Sequence, residues 1–239
     1  MPAVTLVLAH RGANREAPEN TLDAFRRAVA LGADGVELDV HRTLDGALVV
    51  RHDAATSEGV VLAQLARPEI RRALPDVPDL EEALDVCTGL LVNVEIKNSP
   101  HEADWDPDHH AAELVVELLA RRNGRDRVLV SSFDLGSVDH VHALAADVPT
   151  ALLTGRMDPL DGLGLVDAHG HRALHPFVGM IAGRRAAEVT RRAHDLGVDV
   201  NVWTVNDHDE LARLASVGVD ALITDVPAVA LAAVGRAGS

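Results

Sequence analysis

Short apolar runs alternate with amphipathic stretches along almost the whole chain. The runs are rich in leucine and β-branched residues, as buried strands are. Eight of them can be distinguished, at residues 4–9, 35–40, 90–96, 127–132, 150–153, 173–175, 198–204 and 221–224. Because eight strands that are each followed by a helix favour a closed parallel sheet, the pattern predicts an α/β fold, a (β/α)8 TIM barrel.

The amphipathic stretches between these runs predict helices, some from a clear pattern and others from a weak one. Leu22, Phe25 and Val29 form an apolar stripe at helical spacing, and Gly32 is placed to end that helix. The weakest unit is the segment 158–170, which is rich in glycine and aspartate. We expect no regular helix there.

One connection is too short for a parallel crossover. Only residues 41–46 separate the second run from the next one, whereas a crossover needs a dozen or more. Asp45 and Gly46 are typical of a tight turn, so the chain should fold back as a short extra β-hairpin arm after strand 2. With these two as the loop, Asp39 would stand opposite His52.

Composition and length fit one domain over residues 1–239, because 47% hydrophobic residues can fill a single large core and no linker interrupts the chain. The net charge of -15 argues against binding to nucleic acid or to an anionic membrane surface. No apolar window is long enough to span a membrane, and the N-terminus lacks the features of a targeting segment. With Cys87 as the one cysteine, a cytoplasmic location is expected.

Carboxylates are concentrated at the ends of two predicted strands. Glu37 and Asp39 lie two residues apart on the second strand, so both point to one side of the sheet, and Glu95 with Lys97 repeats this spacing on the third. Barrel enzymes place their active sites at these carboxyl ends. Three converging carboxylates would repel one another unless a cation lay between them, and oxygen ligands suit Mg²⁺ or Ca²⁺.

Imidazoles and cations belong to the same predicted rim. His10 and Arg11 end the first strand, and His52 follows the hairpin. Together with Lys97 they form the set that cleavage of a phosphate ester requires: positive groups for the phosphoryl oxygens, and an acid and a base for two proton transfers.

Less specific interpretations exist for each of these residues. Acidic pairs two apart often lie on a solvated strand face, lone histidines are often structural, and Lys97 could only pair with Glu95. Asn20 could be a helix N-cap, and Trp203 could be barrel core. Most histidines are expected at the surface, including those at positions 109, 110, 140, 142, 194 and 208, and the His-x-His pair at 169 and 171 is a weak metal signal.

The chain resembles the glycerophosphodiester phosphodiesterase family. The stretch AHRGANREAPENTLDAFRRAVALGADGVELDVHRTLDGALVVRHD, residues 9–53, matches that family's signature almost without interruption. Further similar segments are VNVEIKN, SSFD, His175-Pro176, NVWTVN and GVDALITDVP, which extend the resemblance to the C-terminal part. The resemblance implies a barrel fold and an activity on phosphodiesters.

The resemblance also implies roles for the matched residues. It makes Glu37, Asp39 and Glu95 ligands of one divalent cation, and His10 and His52 the catalytic acid and base. The phosphate and substrate would be bound by Arg11, Lys97, Glu19, Asn20, Phe133 and Trp203. The segment 54–78 departs from the family because it is short, and it leaves the preference for the leaving alcohol open.

The expected reaction is metal-dependent hydrolysis of a glycerophosphodiester to glycerol 3-phosphate and an alcohol, with a small-molecule substrate as the partner. The alternatives are a phospholipase D- or C-like enzyme acting on lipids and a metal- or phosphate-binding barrel without turnover. An aromatic content of 2% with no tyrosine argues against membrane docking, and two intact imidazoles argue against binding alone. The oligomeric state is left open by the sequence.

Overall fold

The computed structural model describes residues 4–236. Residues 1–3 and 237–239, at the two ends of the predicted single domain, lie outside the described residues. The strands are β1 Leu6–His10, β2 Gly35–Arg42, β3 Leu48–Val50, β4 Leu91–Ile96, β5 Arg127–Ser132, β6 Thr150–Thr154, β7 Ala173–Pro176, β8 Asp199–Val202 and β9 Ala221–Thr224. The helices are α1 Leu22–Ala30, α2 Arg67–Ala73, α3 Leu80–Val86, α4 His110–Arg122, α5 Leu135–Leu144, α6 Pro159–His169, α7 Arg184–Asp195, α8 His208–Ser216 and α9 Pro227–Ala233, with 3₁₀ turns at Leu62–Gln64 and Val178–Met180.

Eight parallel strands close into a ring, which confirms the predicted TIM barrel. The order β1-β9-β8-β7-β6-β5-β4-β2 returns to its start because β1 also pairs with β2. Strand β3 is antiparallel to β2 and lies outside the ring. Val40 pairs with Ile96 of β4 on one side and with Val50 of β3 on the other, so β3 occupies the edge of β2 that β1 leaves open.

The hairpin register is shifted by one residue from the prediction, because the loop is one residue longer than expected. Residues 44–46 form a three-residue loop, in which Gly46 has a φ of 78°. That left-handed conformation is typical of the last residue of such loops and suits glycine. The N–H of Arg51 donates to the Asp39 carbonyl at 3.0 Å. Arg51, and not His52, therefore stands opposite Asp39.

Helix α1 packs on the barrel with a face that differs from the predicted stripe. Phe25 is fully buried, as expected, and Ala24 and Ala28 are buried beside it. Val29 is 42% exposed, so its assignment to the apolar face was wrong. Phe25 and Ala28 belong to the same buried apolar cluster as Val36 and Leu38 of β2.

The segment 158–170 contains a regular helix, contrary to the prediction. The side chain of Asp158 caps it by accepting from the Leu160 N–H at 2.9 Å, and Gly170 ends it with a φ of 76°. Capping at both ends and burial of Leu163 offset the intrinsic cost of the two internal glycines. The prediction from glycine content alone was therefore wrong for helix α6.

No helix between residues 4 and 236 combines the length and apolar character needed to cross a bilayer.

Replacement of Gly164 by alanine tests helix α6. An added Cβ at Gly164 would meet nothing within 4 Å, so Gly164→Ala should stabilise the protein by about 0.5–1 kcal/mol through helix propensity. Gly162→Ala is the matched control, because its Cβ would lie 3.0 Å from the side chains of Leu174 and Thr154 and should gain less or destabilise. Urea unfolding measures both variants, and a loss of stability in Gly164→Ala would contradict the helix.

Candidate active site

Three carboxylates meet at the carboxyl ends of β2 and β4. Glu37 and Asp39 point to the same side of β2, and Asp39 pairs in register with Glu95. One oxygen from each of the three lies within 4.8 Å of the others. All three side chains are buried, with residue exposures of 3%, 1% and 8%. The structure therefore brings the predicted metal ligands together.

The electrostatics of this triad favour a bound cation. Burial and the neighbouring Asp39 and Glu95 raise the pKa of Glu37 to about 8. Burial also raises the pKa of Glu95. Glu37 Oε1 is buried and has no hydrogen-bond partner among residues 4–236. A buried carboxylate oxygen of this kind is costly unless it binds a cation, so the residues fit a divalent ion with oxygen ligands.

Arg11 is fixed at the edge of the triad by its backbone and its side chain. Its φ of 55° is left-handed, and its N–H donates to Glu37 Oε2 at 3.0 Å. The guanidinium Nε lies 3.2 Å from Asp39 Oδ2, and Nη1 donates to both oxygens of Glu19 at 3.1 Å. Glu19 is half-exposed and orients Arg11 from the solvent side.

Lys97 contacts three carboxylates, so it does more than pair with Glu95. Its Nζ lies 2.9 Å from Glu95 Oε1, 3.7 Å from Asp39 Oδ1 and 3.9 Å from Glu102 Oε1. Burial alone would lower the pKa of Lys97, but the Glu95 and Asp39 charges raise it above its ordinary value. Burial likewise favours a raised pKa for Asp39, yet Lys97 and Arg11 hold that pKa below its ordinary value.

Asn20 holds Asp39 in place and is not the N-cap of α1. Its Nδ2 donates to Asp39 Oδ2 at 2.8 Å, and its φ is 56°. Its backbone N–H donates to the Arg11 carbonyl at 3.0 Å, which folds the loop after β1 back on itself. Thr21 caps the helix instead, since its hydroxyl accepts from the Ala24 N–H at 3.2 Å.

His10 lies between the triad and a carboxylate that sequence reasoning missed. Its Nδ1 is 2.6 Å from Asp225 Oδ1, and its Nε2 is 3.9 Å from Glu37 Oε2. Asp225 accepts further hydrogen bonds from Asn14 and Asn206, at 2.6 and 2.7 Å. Burial opposes protonation of His10, but the Asp225 hydrogen bond and the Glu37 charge raise its pKa. The sequence feature that could have indicated Asp225 is its place in the family-like run GVDALITDVP.

His52 is partly exposed at the end of the hairpin arm. Its Nδ1 lies 2.8 Å from Asp53 Oδ1, and its charge helps to keep the Asp39 pKa low. The buried ring of His41 fixes the His52 backbone, because His41 Nε2 is 3.0 Å from the His52 carbonyl. Asp104 Oδ2 is 2.5 Å from the other His41 nitrogen. His41 and Asp104 were also missed, although His41 has the same strand parity as Glu37 and Asp39.

Aromatic rings line the opposite side of the rim. The rings of Phe133 and Trp203 are 5.4 Å apart, and Phe177 adds a third ring 5.3 Å from Trp203. Lys97 Nζ lies 6.0 Å from the centre of the Phe133 ring. Trp203 is partly exposed and donates from Nε1 to the His175 carbonyl at 2.8 Å, so it is not ordinary barrel core. Phe177 was not predicted.

The positions of the remaining histidines agree only in part with the prediction that most lie at the surface. The six predicted at the surface are exposed or half-buried. His171 is buried, and it lies with His169 at the other end of the barrel.

The fold and this constellation define a barrel enzyme that acts on phosphate esters. The sequence profile described as the glycerophosphoryl diester phosphodiesterase family matches residues 10–229. The chain belongs to this family, and glycerophosphodiester hydrolysis is its activity.

Related proteins agree with this assignment over nearly their full length. A glycerophosphodiester phosphodiesterase from Caldanaerobacter subterraneus subsp. tengcongensis is 34% identical, with 93% of this chain and 95% of that protein covered. One from Bacillus altitudinis is 32% identical, with 94% and 96% covered. The crystal structure of a putative glycerophosphoryl diester phosphodiesterase from Silicibacter pomeroyi superposes with a TM-score of 0.83 at 29% identity, over 100% of this chain and 97% of that one.

Replacement of Asp225 tests its control of His10. Asp225→Asn removes the negative charge beside Nδ1, so the pKa of His10 should fall, and kcat/KM should drop at least about tenfold. Titration of the His10 ring by NMR on the metal-free protein measures the first effect. Asp209→Asn is the control, because Asp209 contacts the exposed His208 at 3.3 Å. An unchanged His10 titration in Asp225→Asn would contradict the arrangement.

Proposed function

We propose that this chain hydrolyses glycerophosphodiesters to glycerol 3-phosphate and an alcohol with one divalent cation held by Glu37, Asp39 and Glu95. The observation that carries the proposal is the buried triad, in which Glu37 Oε1 has no hydrogen-bond partner within the described part of the chain. Its all-oxygen donor set favours Mg²⁺ or Ca²⁺ over softer metals. A cation bound there would neutralise charge on the phosphoryl oxygens.

Arg11 and Lys97 are placed to hold the phosphate. In the structure both balance the carboxylates at 2.9–3.7 Å. A cation at the triad would take over part of that balance, and the two basic side chains could then interact with the non-bridging oxygens. A guanidinium can bind two such oxygens at once, whereas the ammonium acts as a point charge.

His10 and His52 are proposed as the pair that moves protons. Each ring has its Nδ1 beside a carboxylate, Asp225 at 2.6 Å and Asp53 at 2.8 Å. A hydrogen bond donated from Nδ1 leaves Nε2 as the atom that accepts or donates a proton at the substrate. One histidine would deprotonate the nucleophile, and the other would protonate the leaving alkoxide. Water as the nucleophile would give glycerol 3-phosphate directly, whereas the glycerol 2-hydroxyl would give a cyclic phosphate that water then opens to glycerol 3-phosphate.

Glu19, Asn20, Phe133 and Trp203 complete the proposed substrate site. Glu19 and Asn20 act through Arg11 and Asp39, which they orient. Phe133 and Trp203 would contact the carbon atoms of the glycerol moiety. A groove runs on from His52 and Glu19 to residues 73–77, so the segment 54–78 forms one wall beside the proposed leaving-group side.

A lipid-like substrate is the second candidate, and one observation favours it. Three of the five aromatic residues of the chain, Phe133, Phe177 and Trp203, are at least partly exposed at the rim. This patch could contact an acyl chain. A comparison of glycerophosphocholine with lysophosphatidylcholine as substrates separates the two candidates. Lysophosphatidylcholine should be hydrolysed faster only if the site binds its acyl chain.

The family match over residues 10–229 supports one catalytic domain, which we propose for the whole chain. The cytoplasmic location stays a prediction.

Removal of the cation tests the metal proposal. Excess chelator should abolish activity while far-UV circular dichroism stays unchanged, because the hydrophobic core does not include the triad. Glu37→Gln should lose activity and weaken Mg²⁺ or Ca²⁺ binding at least about tenfold. Asp108→Asn is the matched control, since Asp108 belongs to another acidic group, with Asp106 and His110. Full turnover in excess chelator would exclude a catalytic cation.

Replacement of each histidine tests the proton transfers. His10→Ala and His52→Ala should each lower kcat by at least about a hundredfold with the fold intact. His208→Ala, at an exposed position on α8, should have no effect. Steady-state kinetics on glycerophosphocholine measures all three, and wild-type turnover in either of the first two variants would remove that residue from the mechanism.

A further inference from the structure

A second cluster of metal-binding side chains lies at the opposite end of the barrel. Asp139 is on α5, His169 is the last residue of α6, and His171 precedes β7. These positions face the amino ends of the strands, whereas the catalytic residues follow their carboxyl ends. Strand β6 spans five residues between the two ends, about 16 Å at the usual rise per residue.

The donor atoms of this cluster are spaced as ligands of one ion. His169 Nδ1 is 2.9 Å from Asp139 Oδ1 and 3.0 Å from Asp139 Oδ2. His171 Nε2 is 3.2 Å from Asp139 Oδ1. Ligands of a tetrahedral zinc ion are about 3.3 Å apart, given bonds of about 2.0–2.1 Å. One donor atom from each of the three side chains lies within 4.8 Å of the others, so a small closure of the side chains would surround a cation.

His171 is the residue that points to a ligand. Its side chain is completely buried, and its Nε2 has no hydrogen-bond partner in residues 4–236, because the contact with Asp139 lacks hydrogen-bond geometry. The other ring nitrogen, Nδ1, lies 2.9 Å from the hydroxyl of Thr150. A partner of this kind on one nitrogen fixes the ring and leaves the other nitrogen free to bind a metal.

We propose that Asp139, His169 and His171 bind a divalent transition metal of the Zn²⁺ class. Two imidazoles and one carboxylate suit Zn²⁺, whereas Mg²⁺ and Ca²⁺ prefer oxygen donors alone. A water molecule or His142 supplies the fourth position. His142 lies one turn along α5 from Asp139, and its ring centre is 6.0 Å from that of His171.

The proposed site joins three separate parts of the barrel. A metal bound there would link α5, the end of α6 and the start of β7. Its effect would be on stability, since binding to the folded state alone raises the free energy of unfolding by mass action. Catalysis at the other end does not require it.

The test uses the full-length chain with Glu37→Gln, so that the catalytic triad competes less for the added ion. Zn²⁺ titrated by calorimetry should bind at one site and raise the unfolding temperature. Addition of His169→Ala or Asp139→Asn should weaken binding at least tenfold and abolish the thermal shift. Both residues are partly exposed, so these variants should fold, as circular dichroism can check. His208→Ala in the same background should bind Zn²⁺ unchanged.

Co²⁺ gives a second readout that does not depend on activity. It should show the visible absorption of a tetrahedral nitrogen and oxygen site in Glu37→Gln and in its His208→Ala variant, but not in the His169→Ala variant. Binding that persists in His169→Ala and Asp139→Asn, equal loss in His208→Ala, or no Zn²⁺ binding by the Glu37→Gln protein would each overturn the proposal.

Discussion

The arrangement of the catalytic rim follows from burying three carboxylates within 4.8 Å of one another. Two like charges about 4 Å apart repel by about 4 kcal/mol even at an effective dielectric constant of about 20. Arg11 and Lys97 offset part of this repulsion, but they also pair with Glu19 and Glu102. A divalent cation would offset more of it and would let the site accept an anionic phosphodiester. The same constraint therefore favours both the ion and the substrate.

Compensation of these charges also shapes the backbone around them. Arg11 and Asn20 both adopt left-handed conformations, which are uncommon outside glycine. The strain is supported by hydrogen bonds, because Arg11 N–H binds Glu37 and the Asn20 amide binds Asp39. The hairpin arm uses the free edge of β2 to bring His52 over the same end. Backbone and side chains are thus adjusted to this buried group of charges.

Predictions from the sequence succeeded where strand periodicity or spacing decides the outcome. The eight-stranded barrel, the arm after β2 and the convergence of Glu37, Asp39 and Glu95 all follow from such patterns. Contacts between distant parts of the chain could not be predicted: Asp225 reaches His10 across 215 positions. The hairpin register was predicted wrongly, because the loop contains three residues and not Asp45 and Gly46 alone. Helix 159–169 was missed because its capping residues outweigh its glycines.

The two ends of the barrel differ in donor chemistry, and that difference would keep two ions apart. Affinity alone would let a transition metal occupy either site, since Zn²⁺ binds most donor sets more tightly than Mg²⁺. The catalytic end offers carboxylate oxygens and lies open to an anionic substrate. The opposite end offers imidazole nitrogens, one of them on the fully buried ring of His171. A chain with these two sites would separate a replaceable hard ion needed for chemistry from a tightly held borderline ion needed for stability.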